Sequence, residues 1–179
     1  MRPNKVLEAW RNDKPTVGAW LAIPDGHSAE IMANVGFDWL CVDMQHGAID
    51  YANSIEMFRA ISTTATTPFV RVPWNDPATI MKALDAGAYG VIVPLINNRE
   101  EAERAVWAAK YPPEGGRSSG PTRAAIYGGS DYQQQANSEI AVICMIETAE
   151  ALEKLDAILS TPGVDAAYIG PSDLAYALG

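Results

Sequence analysis

Pro68-Phe69-Val70-Arg71-Val72-Pro73-Trp74-Asn75-Asp76-Pro77 holds a complete strand-to-helix junction. Phe69 to Val72 is apolar apart from one arginine, as a strand covered on both faces should be. Asp76 followed by Pro77 is an N-cap with a first-turn proline, and Ile80, Met81 and Leu84 then form one apolar stripe that stops before Gly87. The stretch predicts one βα unit. Further strand-like runs lie at Val17 to Ala22, Trp39 to Asp43, Gly90 to Pro94, Ile140 to Ile146 and Ala166 to Gly170. Between them, Ser28 is placed to cap a helix carrying Ile31, Met32 and Val35 that ends at Gly36. Asn98 with Glu101 resembles a capping box before Ala102, Ala105, Val106 and Ala109. Leu152, Leu155, Ile158 and Leu159 form a similar stripe after Glu147.

Six βα units in series predict a parallel sheet, either open and doubly wound or closed as a (β/α)8 barrel. The strand onsets at 90 and 140 stand unusually far apart. The proline- and glycine-rich segment from Tyr111 to Pro121 fills part of that gap as neither helix nor strand, and the extra length fits an active-site loop. A full barrel needs about 250 residues. The chain has 179 and stops within an apolar helical pattern, so it reads as a single TIM-barrel domain, residues 1–179, truncated after about six units.

Thirteen Lys and Arg against 22 Asp and Glu leave a net charge of −9, with 48% hydrophobic residues, the balance of an ordinary globular protein. No apolar run reaches the roughly 20 residues of a membrane span, and the N-terminus lacks a secretory apolar region. The absence of a basic cluster argues against nucleic acid. Cys41 and Cys144 lie in apolar runs, as buried free thiols of a cytoplasmic protein would.

Ionisable residues collect at the C-terminal ends of several strands, the face where βα loops gather in parallel folds: Asp43 and His46, Arg71, Glu147, and Asp173 just beyond the sixth strand. Taken singly, Glu147 and Asp173 also suit helix N-caps. Taken together they offer an oxygen-only site for a hard divalent cation. His46 precedes a glycine and follows Asp43 closely enough for that carboxylate to orient the imidazole, although a lone histidine is more often structural. Arg71 needs an anionic partner, either a structural carboxylate or a substrate. The glycine- and serine-rich run Gly115 to Gly120 could cradle an anion but equally suits a plain loop. Lys82, Lys110 and Lys154 are expected on helices, which leaves no strand-end lysine for a Schiff base. No dinucleotide, P-loop or nucleophile-elbow motif occurs.

The blocks Gly36-Phe37-Asp38-Trp39, Asp43-Met44-Gln45-His46-Gly47, Val70 to Pro77, Lys110-Tyr111-Pro112-Pro113 with Gly116-Arg117, Met145-Ile146-Glu147-Thr148 and Ile169 to Leu174 resemble the HpcH/HpaI aldolase family over essentially the whole chain. The resemblance implies a barrel of the phosphoenolpyruvate/pyruvate type and reversible, metal-dependent cleavage of 4-hydroxy-2-oxo acids to pyruvate and an aldehyde. Glu147 and Asp173 then match the ligands of a divalent ion (Mg2+, Mn2+ or Co2+), His46 the general base and Arg71 the enolate-stabilising arginine. Asp85 matches an aspartate that assists the histidine, and Ser172 with Asp173 the place where the pyruvate carboxylate is met. Met145 stands where some members have a substrate-contacting Gln, and Gln45 where many have Glu. The resemblance also implies a homo-oligomer when the barrel is complete. An acyl-CoA lyase of the malyl type on the same barrel and a non-catalytic truncated fragment are the alternatives.

Overall fold

The structure is a computed structural model that describes residues 1–179. Its centre is a parallel sheet of β1 (Gly18–Leu21), β2 (Trp39–Asp43), β3 (Thr67–Arg71), β4 (Gly90–Val93), β5 (Ala141–Ile146) and β6 (Ala166–Ile169), hydrogen-bonded in sequence order. The sheet curls. Trp20 on β1 and Tyr168 on β6 meet edge to face, ring centroids 5.2 Å apart, although four strands separate them in the sheet. The fold is thus an α/β half-barrel of six parallel strands.

Helices cover the outside: α2 (Gly26–Ala33), α3 (Tyr51–Ile61), α4 (Pro77–Asp85), α5 (Arg99–Ala109), α8 (Ala149–Glu153), α9 (Leu155–Leu159) and α10 (Pro171–Leu178). The first helix, α1 (Lys5–Arg11), puts Val6, Leu7 and Trp10 into the apolar cluster on the concave side. Two short helices, α6 (Thr122–Gly128) and α7 (Tyr132–Glu139), lie between α5 and β5.

Strand alternation sorts the side chains into two layers. Leu40, Val42, Val70, Val91, Val93, Val142, Cys144 and Ile146 pack outward beneath the helices. Cys41, Phe69, Ile92, Ala141, Ile143 and Met145 pack inward with Trp20, Trp39 and Tyr168. The aromatic rings need room. A Cβ on Gly18 would lie 2.0 Å from the Trp39 ring and one on Gly90 2.6 Å from Phe69, and those two rings stack at 5.4 Å. Following the inward rows to the last residues of β2 and β3 and one residue past β5 gives Asp43, Arg71 and Glu147, because residues two apart share a face. The period of the strands therefore delivers these charged side chains to one mouth of the curl. Both cysteines are buried and free, as expected. No helix is long and apolar enough to cross a membrane.

Four local expectations change. The cap of α2 is Asp25, whose carboxylate accepts the Ser28 amide at 2.6 Å; Ser28 sits inside the first turn. Asn98 caps α5, but Glu101 reaches back to the amide of Asn97 at 2.7 Å rather than to that of Asn98, so the box is half closed. Lys110 lies just past the end of α5, its buried amine donating to the carbonyls of Asn137 and Ile140; burial depresses its pKa. The segment from Tyr111 to Pro121 is neither helix nor strand, but it follows α5 at the N-terminal side of the sheet, where Arg117 meets the end of α4 and Arg123 bonds the Ala86 carbonyl. It is not an active-site loop of this chain. Helices run back across the sheet before each new strand, so whatever follows a helix directly lies opposite the strands' C-terminal ends.

Candidate active site

At the C-terminal mouth, parallel pairing places Asp43 opposite Arg71. The guanidinium grips the carboxylate with both arms, Nε to Oδ1 at 2.9 Å and Nη2 to Oδ2 at 2.6 Å, and both side chains are nearly buried. The partner of Arg71 is thus a structural carboxylate. Its Nη1 makes no hydrogen bond within the protein and remains free for a second anion. Trp20 lies against the flat face of the group, 4.6 Å from ring centroid to Cζ, a cation–π contact that fixes the plane. Burial alone would push the pKa of Asp43 up; the Arg71 bonds and charge, with the amides of His46 and Gln45, outweigh it and hold the carboxyl below its usual value.

His46 stands exposed in the loop after β2, and Asp43 touches its backbone amide, at 3.3 Å, rather than its imidazole. The expectation that Asp43 orients the ring is therefore corrected: both carboxylate oxygens are taken up by Arg71 and by loop amides.

Glu147 follows β5 and is 3% exposed. Its Oε1 accepts the Leu95 amide at 2.7 Å. No protein donor bonds Oε2, which lies against Gly170, where a Cβ would come within 2.9 Å. Burial pushes its pKa up; the Leu95 amide opposes this, the nearby Asp173 charge adds to it, and Arg71 and His46 oppose it. Arg71, His46 and Asp173 therefore stand near enough for their charges to act on Glu147. Neither carboxylate is a helix cap: Thr148 caps α8, and Gly170 holds the cap position of α10. Asp173 and Ser172 are exposed in the first turn of α10, and Met145 is buried on the concave side beside Gly170.

Asp85 is elsewhere. It is the last residue of α4, at the opposite end of the sheet, and accepts Nη2 of Arg117 at 2.6 Å. Arg117 is buried between Tyr111 and Tyr132, 4.5 and 5.6 Å from their ring centroids. Within this chain Asp85 does not meet His46, and its carboxylate is engaged by Arg117.

Sequence reasoning missed Trp20, Leu95, Asn97 and Gly170. Trp20 stood in a strand run whose facing direction is legible by alternation; Leu95 acts through its backbone, which leaves no trace in residue type.

No cluster of three or more His, Cys, Asp or Glu side chains is placed to hold a metal ion. Two carboxylates, one of them with an oxygen that no protein donor bonds, still fit a hard cation, since Mg2+ takes one or two carboxylates and completes its shell with water and substrate oxygens.

Residues 16–179 match the HpcH/HpaI aldolase/citrate lyase family. The chain belongs to that family. It is 45% identical over 176 residues to a hydroxypyruvate/pyruvate aldolase of Rhizorhabdus wittichii, covering 98% of this chain and 70% of the relative. It is 40% identical over 179 residues to a 5-keto-4-deoxy-D-glucarate aldolase of Escherichia coli, covering 99% and 70%. A crystal structure of a family member from Burkholderia cenocepacia superposes with TM-score 0.93 at 38% identity, covering 98% of this chain and 72% of that one. The chain is thus a lyase of the aldolase kind.

Proposed function

We propose that the protein is a class II aldolase that reversibly cleaves a 4-hydroxy-2-oxo acid into pyruvate and an aldehyde, with the six strands forming six of the eight units of a TIM barrel. One observation carries the reading. Glu147 is a buried carboxylate with one unbonded oxygen, its pKa is raised by burial and by Asp173, and the charge of Arg71, which has one unused arm, acts on it. A like-charge pair in that setting calls for a cation. Glu147 and Asp173 would hold Mg2+, Mn2+ or Co2+, which when bound supplies a Lewis acid to the 2-oxo acid oxygens.

The chain's own residues do the rest. Arg71, locked by Asp43 and Trp20, directs Nη1 at the oxygen on which negative charge grows, a preorganised donor that needs no rearrangement at the moment of reaction. His46, with no partner for its ring, takes the proton from the 4-hydroxyl as the C3–C4 bond breaks. The bonding pair goes to C3, giving pyruvate enolate, and the carbonyl left at C4 departs as the aldehyde. Ser172 in the first turn of α10 is placed for the 2-oxo acid carboxylate, and Met145 forms an apolar floor. Pyruvate as the common product agrees with the 45% identical relative being a hydroxypyruvate/pyruvate aldolase. We place the enzyme in the cytoplasm as a homo-oligomer.

An acyl-CoA lyase would need cations near the mouth for the CoA phosphates. The loops 22–27, 44–50, 72–76 and 94–98 contain no Lys or Arg, which favours the aldolase. The deciding experiment is pyruvate release from a panel of 4-hydroxy-2-oxo acids, with and without EDTA. Metal-restored release that disappears in Glu147→Gln supports the proposal; release unaffected by EDTA refutes its metal-assisted form.

A further inference from the structure

We propose that Asn97 is a positioning residue for Glu147 and acts through the backbone amide of Leu95. The inference rests on the reading of Glu147 as a cation ligand. Four contacts form a closed circuit between the loops after β4 and β5. The Leu95 amide donates to Glu147 Oε1 at 2.7 Å, and Asn97 Nδ2 donates to the Leu95 carbonyl at 3.0 Å. The Thr148 hydroxyl donates to Asn97 Oδ1 at 2.5 Å, and Thr148 is bonded covalently to Glu147. Thr148 is fixed in turn, since its oxygen accepts the Ala151 amide at 3.0 Å as the cap of α8. Asn97 is itself anchored by its backbone amide to Glu101 of α5.

The circuit explains an otherwise awkward backbone. Leu95 has φ of 54°, in the left-handed region that residues with a Cβ seldom adopt. Such a conformation persists where its surroundings over-determine it, and often where it aims a functional group. Here it turns the Leu95 amide onto one oxygen of Glu147 and leaves the other unbonded. An asparagine suits position 97 because one side chain must both donate to a carbonyl and accept from a hydroxyl, which neither aspartate nor alanine can do. Asn97 need not touch substrate; removing it lets the Leu95 peptide relax and frees the carboxylate to turn.

The test uses the full chain with Mn2+ as probe. Three quantities are followed: the Mn2+ dissociation constant by calorimetry, exchange of the Leu95 amide by NMR, and the thermal midpoint. Asn97→Ala should weaken Mn2+ binding about 10- to 100-fold, the range for removing a group that orients a metal ligand, and should speed Leu95 exchange. Thr148→Val should do the same by breaking the circuit elsewhere, and Thr148→Ser, which keeps the hydroxyl, should restore both. Parent-like Mn2+ affinity and slow Leu95 exchange in both Asn97→Ala and Thr148→Val would overturn the inference, as would losses that follow the thermal midpoint alone without rescue by serine. If the parent binds no Mn2+ while Asn97→Ala still frees the Leu95 amide, the cation reading fails and the positioning of Glu147 stands.

Discussion

Arg71 is where charge, packing and chemistry meet. Its two bonds to Asp43 and its contact with Trp20 leave one arm for substrate, so Arg71→Lys would keep the charge and lose the fork. With a metal-loaded enzyme and a cleavable 4-hydroxy-2-oxo acid, kcat should fall by at least about 100-fold, as on loss of an oxyanion-stabilising donor, with Mn2+ affinity little changed. Unaltered turnover would leave Arg71 a purely structural role. Asp43 makes a different prediction. Its folded pKa is depressed, so the stability it contributes is present above its unfolded value of about 3.9 and is lost as pH falls through the folded value. Asp43→Asn should cost about 3–5 kcal/mol near neutral pH by leaving Arg71 buried and unpaired, and should flatten the acid limb below about pH 4 in thermal melts taken across pH. At this scale the sequence showed which residues carry charge at strand ends but not whom they face. Whether Arg71 answered a structural carboxylate or a substrate was open from residue type, and parallel register decided it by setting Asp43 alongside.

At the scale of elements, the strands were legible because burial on both faces makes them continuous apolar runs, and β2 keeps the limits Trp39 to Asp43 read from composition. The connection between β4 and β5 was not. Its proline and glycine content identified a loop, yet nothing local says at which end of the sheet a loop lies, and α6 and α7 escaped because both are short, neither has a side-chain cap, and α7 is mostly polar. The place of Asp85 was hidden for the same reason: residue type at a helix end does not say which end of the sheet it reaches, and in this chain Asp85 meets Arg117 rather than His46. The concave layer gives the clearest element-scale prediction. Gly18 and Gly90 exist to admit the rings of Trp39 and Phe69, so Gly18→Ala should push a methyl into the Trp39 ring. Overpacking of this kind costs typically about 1–3 kcal/mol. Denaturant melts should show that loss, and Gly18→Ala with Trp39→Leu should recover part of it. Equal stability of the single variant and the parent would mean that the ring has room to move.

For the whole molecule, the two edges of the sheet decide behaviour. β1 pairs only with β2 and β6 only with β5, so each presents a row of unpaired backbone groups. The surfaces beside those edges are apolar: Val17, Ile23, Ile31 and Val35 are each more than half exposed near β1, and Ile169 and Leu178 near β6. The helix α10 buries none of its residues. The chain spans about 70% of the length of the curated relatives it matches. A polypeptide of these 179 residues, taken by itself, leaves both edges open. Edge pairing or face-to-face contact with another copy is the route open to them, and the drive scales with apolar area at about 25 cal/mol per Å2. The polypeptide should therefore self-associate, with a light-scattering mass and a thermal midpoint that both rise with concentration. Lysine substitutions at Ile23 and Ile169, which place charge on the edges without touching Arg71 or Glu147, should lower the apparent mass at a given concentration. A monodisperse monomer that unfolds cooperatively, with a midpoint independent of concentration, would mean that these edges are tolerated in water, and that Trp20 and Tyr168 meeting across the curl seal the concave layer without further strands.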